Sequence, residues 1–183
     1  MKIRPMREAD ADAVLAIYAE GIEDRLATFE TDCPPWEEWD ANHIKECRLG
    51  AESDGAVAGR GALSPVSRRV CYRGVAEVSV YVRRAARGPG VGSALLNALV
   101  EASEKAGFWT LQSAVLEENM ASIRMQERCG FHVVGIRERI GQLDGQWKTT
   151  VLTERRSRVV GVGRVDGEPE PRGAGDADEA IAL

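Results

Sequence analysis

The strongest constraint on what this chain can fold into lies in residues 75–93, VAEVSVYVRRAARGPGVGS. Val78, Val80 and Val82 alternate with Glu77, Ser79 and Tyr81, the period-two pattern of a strand. One face is oily and the other carries a carboxylate, a hydroxyl and a phenol. Apolar residues then recur at Val91, Leu95, Leu96, Leu99 and Val100 and stop at Gly107, which predicts a helix. Between strand and helix lies Arg87-Gly-Pro-Gly-Val-Gly92. Such a turn leaves backbone N–H groups unpaired at the positive end of a helix dipole, and glycine lets an anion come close to them. No Lys-Ser/Thr pair follows the last glycine and no GxGxxG spacing fits, which argues against a nucleoside triphosphate or a dinucleotide. Taken alone, the run is equally an ordinary strand-to-helix turn, so its surroundings decide.

Residues 2–6 read as a short strand and 10–24 as a helix with Val14, Ile17, Tyr18 and Ile22 on one side. An irregular link follows and is stopped by Pro34 and Pro35. Within it Phe29 is either a lid over a pocket or a local core plug. Residues 36–48 carry Trp36, Trp39, Ile44 and Cys47 at helical spacing, and 52–64 predict a hairpin turning at Ser53-Asp54-Gly55. Its second strand is thin, since Gly59 and Gly61 flank an arginine; the glycines mark a bulge, close packing or a marginal strand. The loop at 64–73 delivers Arg68, Arg69 and Arg73 toward Glu77. Guanidinium groups suit an anionic substrate, although Arg68 and Arg69 read better as solvated surface. Residues 109–116 predict a strand, 119–129 a helix ended by Gly130, and 131–140 with 146–155 a closing hairpin.

Of 183 residues 44% are hydrophobic, enough for one good core. The net charge is −5, but residues 159–183 hold six acids against two bases, so the body is close to neutral. Neither nucleic acid nor an anionic membrane is implied as a partner. Rich in glycine and acids and poor in large apolar side chains, the stretch at 158–183 is expected to be a disordered tail behind a domain at 1–157. Cys33, Cys47, Cys71 and Cys129 form no CxxC pair and lie away from His43 and His132, so no metal site is expected. Free thiols, no membrane span, no signal peptide and a cytoplasmic location complete the expectation. Cys129 reads as a buried thiol rather than a nucleophile.

The spacing Arg-x-x-Gly-x-Gly at Arg87, Gly90 and Gly92, directly after a strand and before a helix, resembles the pyrophosphate loop of the GNAT superfamily of acyl-CoA N-acyltransferases. A second piece, from Glu118 and Asn119 to Gly130 and Phe131, is similar to that family's Asn-x-x-Ala/Ser … Gly-Phe segment. Within the superfamily, Ala27-Thr-Phe-Glu-Thr31, Tyr72-Arg73, Ala76-Glu-Val-Ser-Val-Tyr-Val82 and Leu143-Asp-Gly-Gln-Trp147 resemble the phosphinothricin N-acetyltransferase group, the arsinothricin-resistance branch most of all. The resemblance covers nearly all of residues 2–156.

What it implies is an α/β (α+β) fold, a mixed and mostly antiparallel central sheet flanked by helices, with acetyl-CoA in the cleft between the central strand and the glycine loop. Val80, Tyr81 and Val82 would run beside the pantetheine like another strand. Arg87, Gly88, Gly90, Val91, Gly92 and Ser93 would take the pyrophosphate, Pro89 having no N–H to give, and Asn119 would contact the cofactor. Glu77 matches the family's carboxylate and would accept the amine's proton; its bland reading is a strand residue salt-bridged to Arg73. A carboxylate in water is a weak base, so this role needs a special pocket or a relaying water. Phe29, Thr31, Tyr72 and Arg73 would contact the substrate, a small amino acid or analogue such as phosphinothricin, arsinothricin or methionine sulfone, in a homodimer. The sequence departs from the group at Gln126, where a tyrosine or histidine is usual and where glutamine cannot act as an acid, and at Lys148-Thr149. Acetylation of a peptide and a noncatalytic acyl-CoA-binding module stand as alternatives.

Overall fold

The computed structural model describes residues 1–88 and 90–163. The alternating segment forms the strand β4 (Val75–Val82), and the glycine turn leads into α3 (Val91–Lys105). Before them come β1 (Lys2–Pro5), α1 (Ala11–Glu23), α2 (Trp36–Asn42), β2 (Arg48–Ser53) and β3 (Ala56–Pro65). After them come β5 (Thr110–Leu116), α4 (Met120–Arg128), β6 (His132–Leu143) and β7 (Gln146–Arg156). The strands make one sheet in the order β1-β2-β3-β4-β5-β7-β6. Every pairing is antiparallel except β4 with β5. The mixed, mostly antiparallel sheet flanked by helices is the expected fold.

The main core forms where α3 lies on the sheet: Leu95, Leu96 and Leu99 are fully buried against Ala51, Leu63, Ala76 and Val78. The glycines of β3 make this possible. A Cβ at Gly61 would stand 2.8 Å from the Cδ1 of Leu99, and one at Gly59 would stand 3.0 Å from that of Leu95. Close packing is therefore the reason for the glycine-rich strand, and β3 is a full member of the sheet.

The helix expected over 36–48 stops at Asn42, and this corrects the boundary of the hairpin as well. His43 leaves the helix with extended backbone (φ −118°, ψ 142°), and its Nδ1 lies 2.6 Å from the carbonyl of Trp39, the oxygen that a continuing helix would use. Residues 45–47 make a single tight turn, and β2 begins at Arg48 rather than 52. The turn at Asp54 and Gly55 is as expected, with both residues at positive φ (53° and 78°).

At the far edge Arg4 is buried and holds two carboxylates. Its guanidinium donates to both oxygens of Asp10 at 2.7 and 2.9 Å and through Nε to Glu52 at 2.6 Å. Asp10 also accepts the backbone N–H of Arg7 at 2.7 Å, which ties the first strand to the start of α1. Beyond β7, Arg156 donates to the carbonyls of Val160 and Gly161 at 3.0 and 2.6 Å. The tail expectation lies outside the described residues from position 164 onward, as does the reading of Pro89.

The hydrogen bond from Arg4 holds the Asp10 carboxyl below the usual 3.8. Its stabilising effect is therefore present above about pH 4 and is lost as pH falls through the lower folded value. Replacing Asp10 with Asn leaves a buried guanidinium half-paired and is expected to cost about 3 kcal/mol in a denaturant titration at pH 7. The gap between variant and wild type should narrow below pH 4.

Candidate functional site

β4 and β5 pair only from Val75, Ala76 and Glu77 to Thr110, Leu111 and Gln112. Beyond that point β4 stays with β3, as far as the pair Gly59 and Val82, while β5 stays with β7 along its whole length. The sheet splits, and the edge of β4 facing β5 has no strand partner from Val78 onward. A cavity of about 440 Å³ fills the split, lined by Val78, Val80, Ser113, Val115 and Gln126 among others. A second cavity, of about 390 Å³, lies toward α1 and α2 and is lined by Trp39, His43, Arg60 and the loop of Asp32 and Cys33. Tyr18, Glu30, Ser64, Glu77, Ser79 and Tyr81 line both. Glu77 thus stands at the junction, where the sheet begins to open. Its Oε2 lies 3.5 Å from the Nε2 of Gln112, a long contact.

At the other end of β4, Gly90 (φ 86°) caps α3 in a left-handed conformation, and Gly88 has φ 104°. A Cβ at either would meet nothing within 4 Å, so the backbone is open to a ligand. The first bond of the helix runs from Ala94 N–H to the Gly90 carbonyl at 3.0 Å. The N–H groups of Val91, Gly92 and Ser93 therefore have no partner within the helix. These donors stand at the start of the helix that follows β4, and with the free edge of that strand they suit an extended ligand with an anionic end.

Other residues singled out in the sequence are placed differently. Arg87 braces the loop, with Nε 3.1 Å from the Val82 carbonyl and Nη2 2.5 Å from Asp24. Arg84 also reaches Asp24, at 2.8 Å; against the opposing effect of burial, the two arginines hold that carboxyl below its usual range. Asn119 lines the first cavity but caps α4, accepting from Ser122 N–H at 3.1 Å and donating to the Leu26 carbonyl at 3.0 Å. Phe29 is half-buried: it lines the first cavity, and its ring packs on Gly141, where a Cβ would come within 2.8 Å. Thr31 lines neither cavity. The same holds for Tyr72 and Arg73, which are exposed, the latter stacked 5.6 Å from the ring of Trp109. Arg73 and Glu77 form no salt bridge. Gln126 is buried and donates to Ser113 at 3.1 Å while accepting from the hydroxyl of Thr153. It holds α4 to β5 and β7 and has no proton to give.

The residues that sequence reasoning passed over lie in the second cavity. Tyr18 stands edge-on to Tyr81, with ring centroids 5.1 Å apart, and Trp39 stacks on His43 at 4.0 Å. Tyr81 donates its hydroxyl to the Ala27 carbonyl at 3.1 Å, and burial pushes its phenol up to about 12. Burial pushes His43 down to about 4, and the nearby Arg60 acts in the same direction. One signal was present in the sequence: an arginine between two glycines at an inward position of a strand. Among the described residues no group of three or more His, Cys, Asp or Glu could hold a metal, and no helix is long and apolar enough to cross a membrane.

Known proteins share this arrangement. The profile of the acetyltransferase (GNAT) family matches residues 13–131. The phosphinothricin N-acetyltransferase of Alcaligenes faecalis is 33% identical over 159 residues, 84% of this chain and 81% of that protein. Among solved structures, the ribosomal-protein-alanine N-acetyltransferase of Brucella melitensis is 31% identical, covers 86% of this chain and all of its own, and superposes with a TM-score of 0.81. A GNAT superfamily phosphinothricin acetyltransferase of Sinorhizobium meliloti, solved in complex with AcCoA, is 26% identical with a TM-score of 0.83, covering 91% of this chain and 94% of that one.

The neutral histidine of the second cavity carries a pH prediction. Because His43 has its folded value near 4, against 6.5 when free, the unfolded chain takes up the proton first. Stability should fall by about 2 kcal/mol as pH drops from 7 to 5. His43→Gln should flatten that part of the stability curve, as read by thermal melts at stepped pH.

Proposed function

This chain belongs to the acetyltransferase (GNAT) family and is an acetyl-CoA-dependent N-acetyltransferase of the phosphinothricin and amino-acid type, and we propose that its acceptor is the α-amine of a small anionic amino acid or analogue. The observation that carries this reading is the position of Glu77 at the junction of two cavities, one suited to the thioester and the other to the amine. In the first, the open edge of β4 at Val80, Tyr81 and Val82 offers main-chain groups to the pantetheine arm, and the N–H groups of Gly88, Gly90, Val91, Gly92 and Ser93 face the pyrophosphate. Arg87 serves the same end indirectly, by shaping the loop.

An ammonium has no lone pair, so the acceptor must lose a proton before it can react. Glu77 takes that proton, directly or through a water in the cleft. The freed nitrogen attacks the thioester carbonyl, the C–N bond forms as the C–S bond breaks, the nitrogen gives up its second proton to water in the cleft, and CoA leaves as a thiolate. Gln126 has no proton for it, and Tyr81 directs its own toward Ala27, so the thiolate is protonated from solvent. Phe29 closes the cleft above.

A second reading, a peptide N-terminus as acceptor, is favoured by the likeness to the Brucella melitensis enzyme. Against it, Arg25 bonds Asp144 at 3.2 Å and Phe29 packs on Gly141, so the loop over the cleft is tied to the closing hairpin. CoA release with phosphinothricin, methionine sulfone, common amino acids and short peptides separates the two. Turnover confined to the peptides would overturn the amino-acid reading.

Glu77→Gln should lower kcat by about 10²- to 10⁴-fold with the Kd for acetyl-CoA unchanged. A noncatalytic acyl-CoA-binding module would show no turnover to lose. The homodimer is proposed to form along the edge hairpin, where Val133, Val134, Ile136, Ile140 and Trp147 are all exposed on or beside the edge strand β6. Sedimentation should then find a dimer in the wild type and a monomer in Ile136→Glu, and a monomeric wild type would refute it.

A further inference from the structure

The side chain of Arg60 is the most deeply buried charge in the second cavity, 1% exposed. In the sheet it pairs with Tyr81, while Ala62 pairs with Ser79 and Ser64 with Glu77. Directly paired residues share a face, so Arg60 lies on the face that carries the junction carboxylate. The guanidinium sits 4.2 Å from the Tyr81 ring, 4.9 Å from Tyr18 and 5.2 Å from Trp39. Its Nη1 donates to the Ser79 hydroxyl at 2.9 Å, and its Nε is buried without a hydrogen-bond partner.

No carboxylate forms a salt bridge with it among the described residues. Arg4, the other deeply buried arginine, holds two. Arginine does not deprotonate in proteins, so Arg60 remains a cation. The aromatic rings attract its flat face, but the N–H donors at its edge need acceptors in the guanidinium plane. Nε has none, and Arg60 is among the residues that line the cavity. The other carboxylates of this cavity, Glu30, Asp32 and Glu38, are exposed, and none approaches Arg60 within salt-bridge distance. What the cage lacks is an acidic group brought in by a ligand.

We propose that Arg60 is the specificity-determining residue of the acceptor site, binding an acidic group at the end of the acceptor's side chain while the α-amine faces Glu77. This rests on the amino-acid reading above. The spacing selects which acidic group it is. The guanidinium is bonded at Ser79, two residues along the strand from Glu77, which is roughly 7 Å. An α-carboxylate lies only roughly 3 Å from its own amine, less than half that backbone spacing. A phosphinate or carboxylate two or three carbons beyond the α-carbon can span it. The acceptor is thus an amino acid with an acidic side chain, recognised from β3 rather than from the loop of Arg68, Arg69 and Arg73.

The test compares kcat/KM for phosphinothricin with that for methionine sulfone, whose side chain is of similar length but uncharged. The wild type should prefer phosphinothricin by at least about tenfold, the effect of one charge-assisted hydrogen bond. In Arg60→Gln the preference should collapse to within about threefold, the kcat/KM for phosphinothricin falling further than that for methionine sulfone. Arg60→Lys keeps the charge but loses the fork and should fall between. A wild type without preference overturns the proposal, and that outcome needs no variant to fold. A folded Arg60→Gln or Arg60→Lys that keeps the full wild-type ratio overturns it as well. Turnover of neither acceptor removes the amino-acid reading and this proposal together, whereas turnover of both without discrimination removes this one alone.

Discussion

Three residue pairs hold β4 to β5, and the site depends on there being no fourth. A continuous sheet would spend the main-chain groups of Val78–Val82 on β5. Here each strand follows a different neighbour, β4 staying with β3 and β5 with β7, and the gap between them widens from Glu77. Buried polar bonds hold the far side open: Gln126 joins Ser113 of β5 to Thr153 of β7, whose hydroxyl oxygen also lies 3.3 Å from the Ser113 carbonyl. Behind the near side, the two glycines of β3 let α3 lie flat against the strands, which sets where its N-terminus, without a side-chain cap, emerges. The split and the glycine loop are thus two ends of one packing arrangement.

The parts of this arrangement that were legible in the sequence are those whose cause is local. Alternation in β4, the glycine turn and the apolar stripe of α3 lie in one stretch, and each shows its period directly. Asp54-Gly55 and Asp144-Gly145 announced their hairpins for the same reason, since both pairs adopt positive φ. The C-terminal end of α2 was hidden because one side chain decides it: His43 takes the carbonyl that would have continued the helix, and nothing in the pattern of Trp36, Trp39 and Ile44 reveals that. β6 likewise runs to Leu143, past the expected end at 140, because register shifts at Gly135 and Gly141 let it follow β7 further.

The candidate site divides along the same line. Glu77 could be found from its strand and its flanking motif. Tyr72 and Arg73 looked close to it because they are close in sequence, yet both are exposed and line neither cavity, and Arg73 lies over the ring of Trp109, which packs so closely on Gly74 that a Cβ there would be 2.0 Å from it. Arg60 was the reverse case. It is seventeen positions from Glu77, in a strand that reads as marginal, and only the β3 to β4 register brings it to the shared face.

That register also gives Tyr81 a part in both cavities. Its ring lies between the cavity in the split and the cavity of Arg60, and it lines both. On one side it packs edge-on with Tyr18, on another it supports the Arg60 guanidinium, and its hydroxyl ends on the Ala27 carbonyl. Space for the ring comes from Gly21 of α1, where a Cβ would stand 2.5 Å from the Cδ1 of Tyr81. The wall between the two cavities is thus set by the packing of α1 on β4, two elements outside the glycine motif. Any change that moves this ring displaces the cation on one side and the free strand edge on the other. The two halves of the cleft are therefore mechanically coupled through one aromatic side chain.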